Sequence, residues 1–172
     1  MEEYISIVDE NDHVIASKAR ATVESSDIYR VSALFIYDEQ GNILLGKRSV
    51  TKKNNPGLWS PLVNGTNSFG ETYEENIIRE AQEEIGISLE KVEYVAKVRV
   101  KEKHNFFVTF FSTCIPHDQK LVIDPSEIEE LRWYSNAELT ATLKQNPSSF
   151  VPGFLENIFP FVKPVPSDTI NA

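Results

Sequence analysis

Glu80, Glu83 and Glu84 stand at i, i+3 and i+4. On a helix their side chains crowd one face. Like charges that close destabilise a bare helix unless something positive sits among them. Taken alone, such a cluster could be a solvated acidic face. It also suits a hard divalent cation, magnesium or manganese, which takes carboxylate oxygens, keeps several waters and binds substrate phosphates. The neighbouring residues favour the cation. Arg79 and Glu83 form an i, i+4 pair, so the arginine can orient a carboxylate. Gly65 begins a loop, and Glu71 lies between that loop and the glutamates.

The same stretch shows what must position these groups. Thr72 followed three residues later by Glu75 predicts a capping box, with a helix starting at Tyr73. Ile77, Ala81 and Ile85 fall at i, i+4 and i+8, a stripe that would face a core. Gly86 is the expected C-terminal stop.

Gly65 to Ile87 reads GTNSFGETYEENIIREAQEEIGI. It resembles the signature of the Nudix hydrolases: G, five residues, E, seven residues, then R-E-U-x-E-E-x-G-U with U apolar. Gly65, Glu71, Arg79, Glu80, Glu83, Glu84 and Gly86 meet every fixed position, and Ala81 and Ile87 fill the apolar ones. The resemblance runs over roughly residues 29–139. LLGKRSVTKKNNPGLWSPLVNG and the leading VDENDHVI are similar to the isopentenyl-diphosphate isomerase branch of that superfamily, which also holds hydrolases. SEIEELRWYSNAEL resembles the region that follows the signature.

The resemblance implies metal-assisted hydrolysis of a diphosphate linkage in a nucleoside diphosphate derivative. Glu80, Glu83 and Glu84 would hold one or more Mg2+ ions, with Mn2+ as substitute. Arg79 would orient a glutamate, and Glu71 would support the site. Gly65 would let the backbone pass where a side chain does not fit. Family precedent offers Glu80 or Glu127, six residues before Trp133, as the base; the sequence does not choose between them. Arg48 and Lys52, just before the signature, could clamp a diphosphate. Lys47 and Lys53 read as solubility residues.

Two other classes compete. One is the isomerase itself, whose pattern places V-C-G-H at the start of the signature. Here the segment is Val63-Asn64-Gly65-Thr66, without thiol or imidazole. The isomerase's E-x-E has His104-Asn105-Phe106 as its nearest counterpart. The other is a silent nucleotide-binding module, against which the chain keeps all four signature glutamates.

The 172 residues, 41% of them hydrophobic, suggest a single domain with a real core. A net charge of −9 argues against nucleic acid backbones and anionic membranes, though not against a small anion met by a bound metal. A homodimer is left open. Cys114 is the only cysteine and is expected to be a small buried hydrophobe. His13, His104 and His117 lack metal-ligand spacing. The acidic start lacks a signal peptide's pattern and no apolar run has the length of a membrane span, so a reducing cytoplasm is expected.

Stepwise along the chain, residues 4–9 and 13–17 predict a hairpin about Glu10-Asn11-Asp12, within an N-terminal strand region over 1–28. Residues 31–37 and 43–45 predict a second hairpin with Gly41 at its turn. Residues 92–100, 106–113 and 127–133 read as strands. Ser135 caps an expected helix over 136–144, which Thr140 and Thr142 weaken. Residues 150–161 suggest a short final helix broken by Pro152 and Pro160, and residues from Pro164 onward a loose tail. These elements, like the resemblance, imply an α/β class Nudix-like α/β/α sandwich around a mixed β-sheet.

Overall fold

The longest pairing among the described residues joins β3 (Ile28–Tyr37) to β8 (Asn105–Cys114) in parallel, from Tyr29 opposite Phe106 to Tyr37 opposite Cys114. The structure is a computed structural model that describes residues 2–101 and 105–162. The other edge of β3 is shared. β1 (Tyr4–Val8) takes its first residues, β6 (Val63–Thr66) its middle and β4 (Ile43–Arg48) its end, all antiparallel. β1 also carries β2 (Val14–Ala19), the expected hairpin. β7 (Glu93–Lys101) pairs with β8, and β9 (Ile128–Tyr134) with β4.

β3 and β4 pair at only two positions, Ile36 with Leu44 and Tyr37 with Ile43, before they diverge. The chain from β5 (Trp59–Pro61) into β6 fills that wedge, pairing first with β4 and then with β3. Gly65 therefore lies within a strand, not at the start of a loop as expected. Successive residues of a strand point to opposite faces. Val63 packs with the apolar cluster under the signature helix, whereas Val31, opposite Thr66, packs on the other face.

The signature helix α1 (Tyr73–Ile85) forms as its sequence predicts. The Thr72 hydroxyl accepts from the Glu75 amide at 3.2 Å, and the Glu75 carboxylate accepts from the Thr72 amide at 2.8 Å. Gly86 ends it with φ +71°, a left-handed conformation that favours glycine. Ile77, Ala81 and Ile85 are buried against Leu34, Ile36, Leu44 and Phe111 of the sheet. α2 (Asn136–Gln145) covers the other face with Leu139 and Leu143. Its threonines are tolerated because their hydroxyls donate to the carbonyls one turn back, Thr140 to Asn136 at 2.7 Å and Thr142 to Glu138 at 2.8 Å. Helices on both faces of a mixed sheet make the α/β/α sandwich.

The N-terminal hairpin is stapled to the start of α1. The Asp12 carboxylate accepts from Arg30 at 2.7 Å and from the Tyr73 hydroxyl at 3.0 Å, and pairs with Lys97. Lys97 and Arg30 also lie over the Tyr73 ring, 4.6 and 5.1 Å from its centre.

Two further expectations fail. Residues 150–161 do not form one helix. Gly153, at φ +74°, and Pro160 divide them into a wide turn over Phe154–Ile158 and a tight one over Phe159–Phe161. Phe150 and Phe154 are still buried in the core. Cys114 is exposed, because it is the last residue of β8, where burial along the strand gives way to exposure. His104 and the segment from Pro164 lie outside the described residues. Among the described residues, no helix is long and apolar enough to cross a membrane.

Candidate active site

Arg79 organises the acidic face of α1. Its Nε and Nη2 donate to the two oxygens of Glu71 at 2.7 and 3.2 Å, Nη2 also to Glu80 at 3.0 Å, and Nη1 to Glu83 at 2.8 Å. One guanidinium thus makes four hydrogen bonds to three carboxylates, one more than the three donors of an ammonium could make. The Glu71 carboxylate also accepts from the Ser68 amide at 3.0 Å and the Asn76 side chain at 3.1 Å. Burial opposes its ionisation, but Arg79, the Ser68 amide and Asn76 outweigh it and hold the carboxyl below its usual range.

β6 supplies the opposite wall. A Cβ on Gly65 would lie 2.3 Å from Glu80 Oε1 and 2.6 Å from its Cγ, so any side chain there displaces the glutamate. The Asn64 amide approaches Glu84 at 3.4 Å. Glu84, Asn64, Arg48 and Glu127 line one narrow cleft with Ser60 and Ile128. Burial, then the Glu80 charge, push the Glu84 carboxyl up to about 8; Glu127 adds to this, while the Asn64 amide and Lys52 oppose it. Burial also raises Glu80, against the pull of Arg79. Lys52 forms an ion pair with Glu127 at the rim. Arg48 donates to the Asn54 carbonyl at 3.1 Å, within its own loop.

Of the residues expected from sequence, Glu80, Glu84, Gly65, Glu127, Arg48 and Lys52 thus surround or adjoin one cleft, with Arg79 and Glu71 behind it. Glu83 is more exposed and turned onto Arg79. Among the described residues no three carboxylate, imidazole or thiolate groups converge as a ready-made metal cage. The donor chemistry nevertheless fits a hard cation. Glu84 is a partly buried carboxylate whose one close donor is an amide at 3.4 Å, and which faces two further carboxylates.

Asn76 was not singled out from sequence. Asn76 is fully buried, and its amide bridges Glu71 and the Thr66 carbonyl at 3.1 and 3.2 Å. An asparagine beside the apolar stripe of a helix, where its propensity is poor, is the signal that could have marked it. From sequence, Asn64 reads only as standing where the isomerase pattern has a thiol, not as a neighbour of Glu84.

On the other side of β6, a cavity of about 450 Å³ is lined by Arg20, Glu24, Tyr29, Asn54, Thr66 and Asn105, among others. Its lining is mostly hydrogen-bonding side chains around the Tyr29 ring. Asn54 belongs to the loop that follows Arg48 and carries Lys52, so one loop runs from the rim of the cleft to the cavity.

Residues 28–154 match the NUDIX domain family. A prenyl-diphosphate phosphatase of Methanosarcina mazei is 32% identical over 162 residues, covering 92% of this chain and 95% of that protein. An isopentenyl-diphosphate Delta-isomerase of Brevibacterium linens is 27% identical over 165 residues, covering 90% and 89%. A crystal structure of a Deinococcus radiodurans protein has the same fold, with a TM-score of 0.77 at 23% identity over 92% of this chain and 98% of that one.

Proposed function

Because the chain belongs to the Nudix family, in its isopentenyl-diphosphate-isomerase-like branch, we propose that it hydrolyses the diphosphate linkage of a nucleoside diphosphate derivative with Mg2+. The observation that carries this reading is the Glu84 carboxylate, set against Glu80 and Glu127 in a cleft rimmed by Arg48 and Lys52. Glu80, Glu83 and Glu84 would hold the ion, with Mn2+ as substitute. When bound, it supplies charge neutralisation for the diphosphate oxygens and acidifies a water.

The chain's own groups do the rest. Arg79 fixes the carboxylate orientations. Gly65 keeps the β6 wall close enough that Glu80 meets backbone and no side chain. Arg48 and Lys52 neutralise the diphosphate from the other side. Glu127 or Glu80 accepts the proton of the attacking water, and a base at hydrogen-bond reach is what this step needs.

The cavity beyond Thr66 supports a polar substituent on the diphosphate. A nucleoside finds hydrogen-bonding groups in this lining, whereas a prenyl chain gains little from a wall that carries Arg20, Glu24, Asn54 and Asn105. The Methanosarcina relative favours the second reading, hydrolysis of a prenyl diphosphate.

One panel separates the two. Nucleoside diphosphate derivatives, isopentenyl diphosphate and longer prenyl diphosphates are incubated with Mg2+ and phosphate-bearing products are quantified. Turnover of nucleoside derivatives with prenyl compounds inert supports the first reading. The reverse pattern replaces it with the second, and no turnover of any member overturns both.

A further inference from the structure

The ion pair between Lys52 and Glu127 joins residues 75 positions apart, one in the loop between β4 and β5 and the other in the turn before β9. The backbones on both sides are fastened. The Ser49 amide donates to the Glu127 carbonyl at 2.9 Å, and the Lys52 amide to the Ser49 carbonyl at 3.1 Å. The turn beneath Glu127 is tied by the Ser126 amide to Asp124 Oδ1 at 2.8 Å and by the Ile128 amide to the Asp124 carbonyl at 2.9 Å. The pair is therefore held by the fold and is not a chance meeting of two flexible side chains. Glu127 shares its cleft with Glu84, so Lys52 is the cation that offsets two neighbouring carboxylates.

We propose that Lys52 is a transferable counter-charge, which holds Glu127 in the substrate-free protein and passes to the diphosphate of an arriving substrate, leaving Glu127 free to accept a proton from water. The inference rests on the reading above that a diphosphate enters this cleft.

Exchange is favourable on simple grounds. An ammonium on a four-carbon stem has three donors and no fixed geometry, so it can leave one carboxylate for several phosphate oxygens at little cost. Lys52 and Glu127 are 28% and 39% exposed, so neither is locked in a dry interior. Arg48 is a poorer candidate because its guanidinium is bonded to the Asn54 carbonyl of its own loop. Once Lys52 leaves, Glu127 loses its cationic partner beside Glu84, so its carboxylate is freed at the moment a substrate is present.

The test is a double-mutant cycle on the full chain, read by Mn2+ binding. Wild type, Lys52→Met, Glu127→Gln and the double variant are titrated without substrate, with melting curves confirming that each is folded. Lys52→Met should bind Mn2+ about fivefold more tightly, because Glu127 is unmasked. The double variant should bind as Glu127→Gln does. With Mn2+ saturating, methylenediphosphonate should bind Lys52→Met about tenfold more weakly than wild type, and Lys52→Arg should recover most of the loss.

Tightening that persists in the Glu127→Gln background would mean that Lys52 acts through the general field, and overturns the exchange. So do Mn2+ and diphosphonate affinities unchanged by Lys52→Met. A chain that shows the coupling but hydrolyses no diphosphate refutes the proposed hydrolysis alone. One that hydrolyses diphosphates without the coupling refutes the exchange alone. A wild type that binds neither probe refutes both.

Discussion

Gly65 and Glu80 compete for one volume: a Cβ on residue 65 would fall 2.3 Å from the glutamate's Oε1 and 2.4 Å from its Cδ. The obstacle is the end of a flexible side chain, so the glutamate can move and the fold can survive. Gly65→Ala should then lower kcat by roughly ten- to a hundredfold, as displaced supports of metal ligands do. Its melting temperature should fall only a few degrees, corresponding to about 1 kcal/mol of overpacking. Full activity in this variant would show that the position of Glu80 is immaterial.

Glu84→Gln and Glu83→Gln should each lower hydrolysis by roughly 10²–10³-fold with the fold intact. Mg2+ and Mn2+ should raise the melting temperature of wild type by mass action, and the shift should shrink in both variants. Zinc should not be needed for folding. Kinetics at saturating Mg2+ and melting curves with and without metal decide this; rates within a few-fold of wild type would remove these residues from the site.

Stability of the metal-free chain should fall as pH rises. Glu84 has an ordinary value of 4.5 and, in the fold, about 8. Below pH 4.5 both states hold its proton, so its contribution is fully present. Between the two values the folded state keeps a proton that the unfolded chain releases, so stability declines, levelling off above about 8. Urea midpoints in EDTA from pH 5 to pH 9 should show this slope, and Glu84→Gln should flatten it. An equal slope in the variant would assign the effect elsewhere.

Arg79→Lys should fail although charge is kept. The guanidinium reaches Glu71, Glu80 and Glu83 together, with Glu71 held bidentately. An ammonium cannot reproduce that fork. We expect kcat to drop about ten- to a hundredfold with KM changed far less, because the carboxylates are misoriented and the diphosphate contacts are untouched. A rise in KM at unchanged kcat would instead place Arg79 on the substrate.

Isopentenyl diphosphate should not be converted to its dimethylallyl isomer. That reaction needs a proton donor and a proton acceptor on opposite faces of the carbon skeleton. Asn64 and Thr66 stand where the isomerase pattern has thiol and imidazole. Cys114, the chain's only thiol, is opposite Tyr37, four register positions along β3 from Ala33, which pairs with Asn64. Steady isomer production, followed by product analysis with Mg2+ present, would reverse this conclusion.

What the sequence revealed was local. α1 is announced by a capping box, an apolar stripe and a terminal glycine within fifteen residues, and each forms as read. β5 and β6 were hidden because they are short, contain Pro61 and Gly65, and draw their pairing from β4 and β3. Periodicity cannot register a strand that exists only because two others diverge. The final segment was apolar enough to be core, and Phe150 and Phe154 are; but its backbone obeys Gly153 and the prolines. Glu127 could be placed beside the site by resemblance. That Lys52 meets it could not be read, since the contact depends on two loops brought together by β4 and β9.

The run that fills the wedge between β3 and β4 also acts as a partition. Gly65 touches the carboxylates on one side, and its neighbour Thr66 opens onto the cavity on the other. The carboxylates and the groups that would grip the rest of a substrate thus meet adjacent residues of one strand. Substitutions at Thr66, Asn105 or Tyr29 can reshape that chamber without moving Glu80 or Glu84. Under the proposed hydrolysis, the choice of substrate and the cutting chemistry would thus be set by different residues of one short strand.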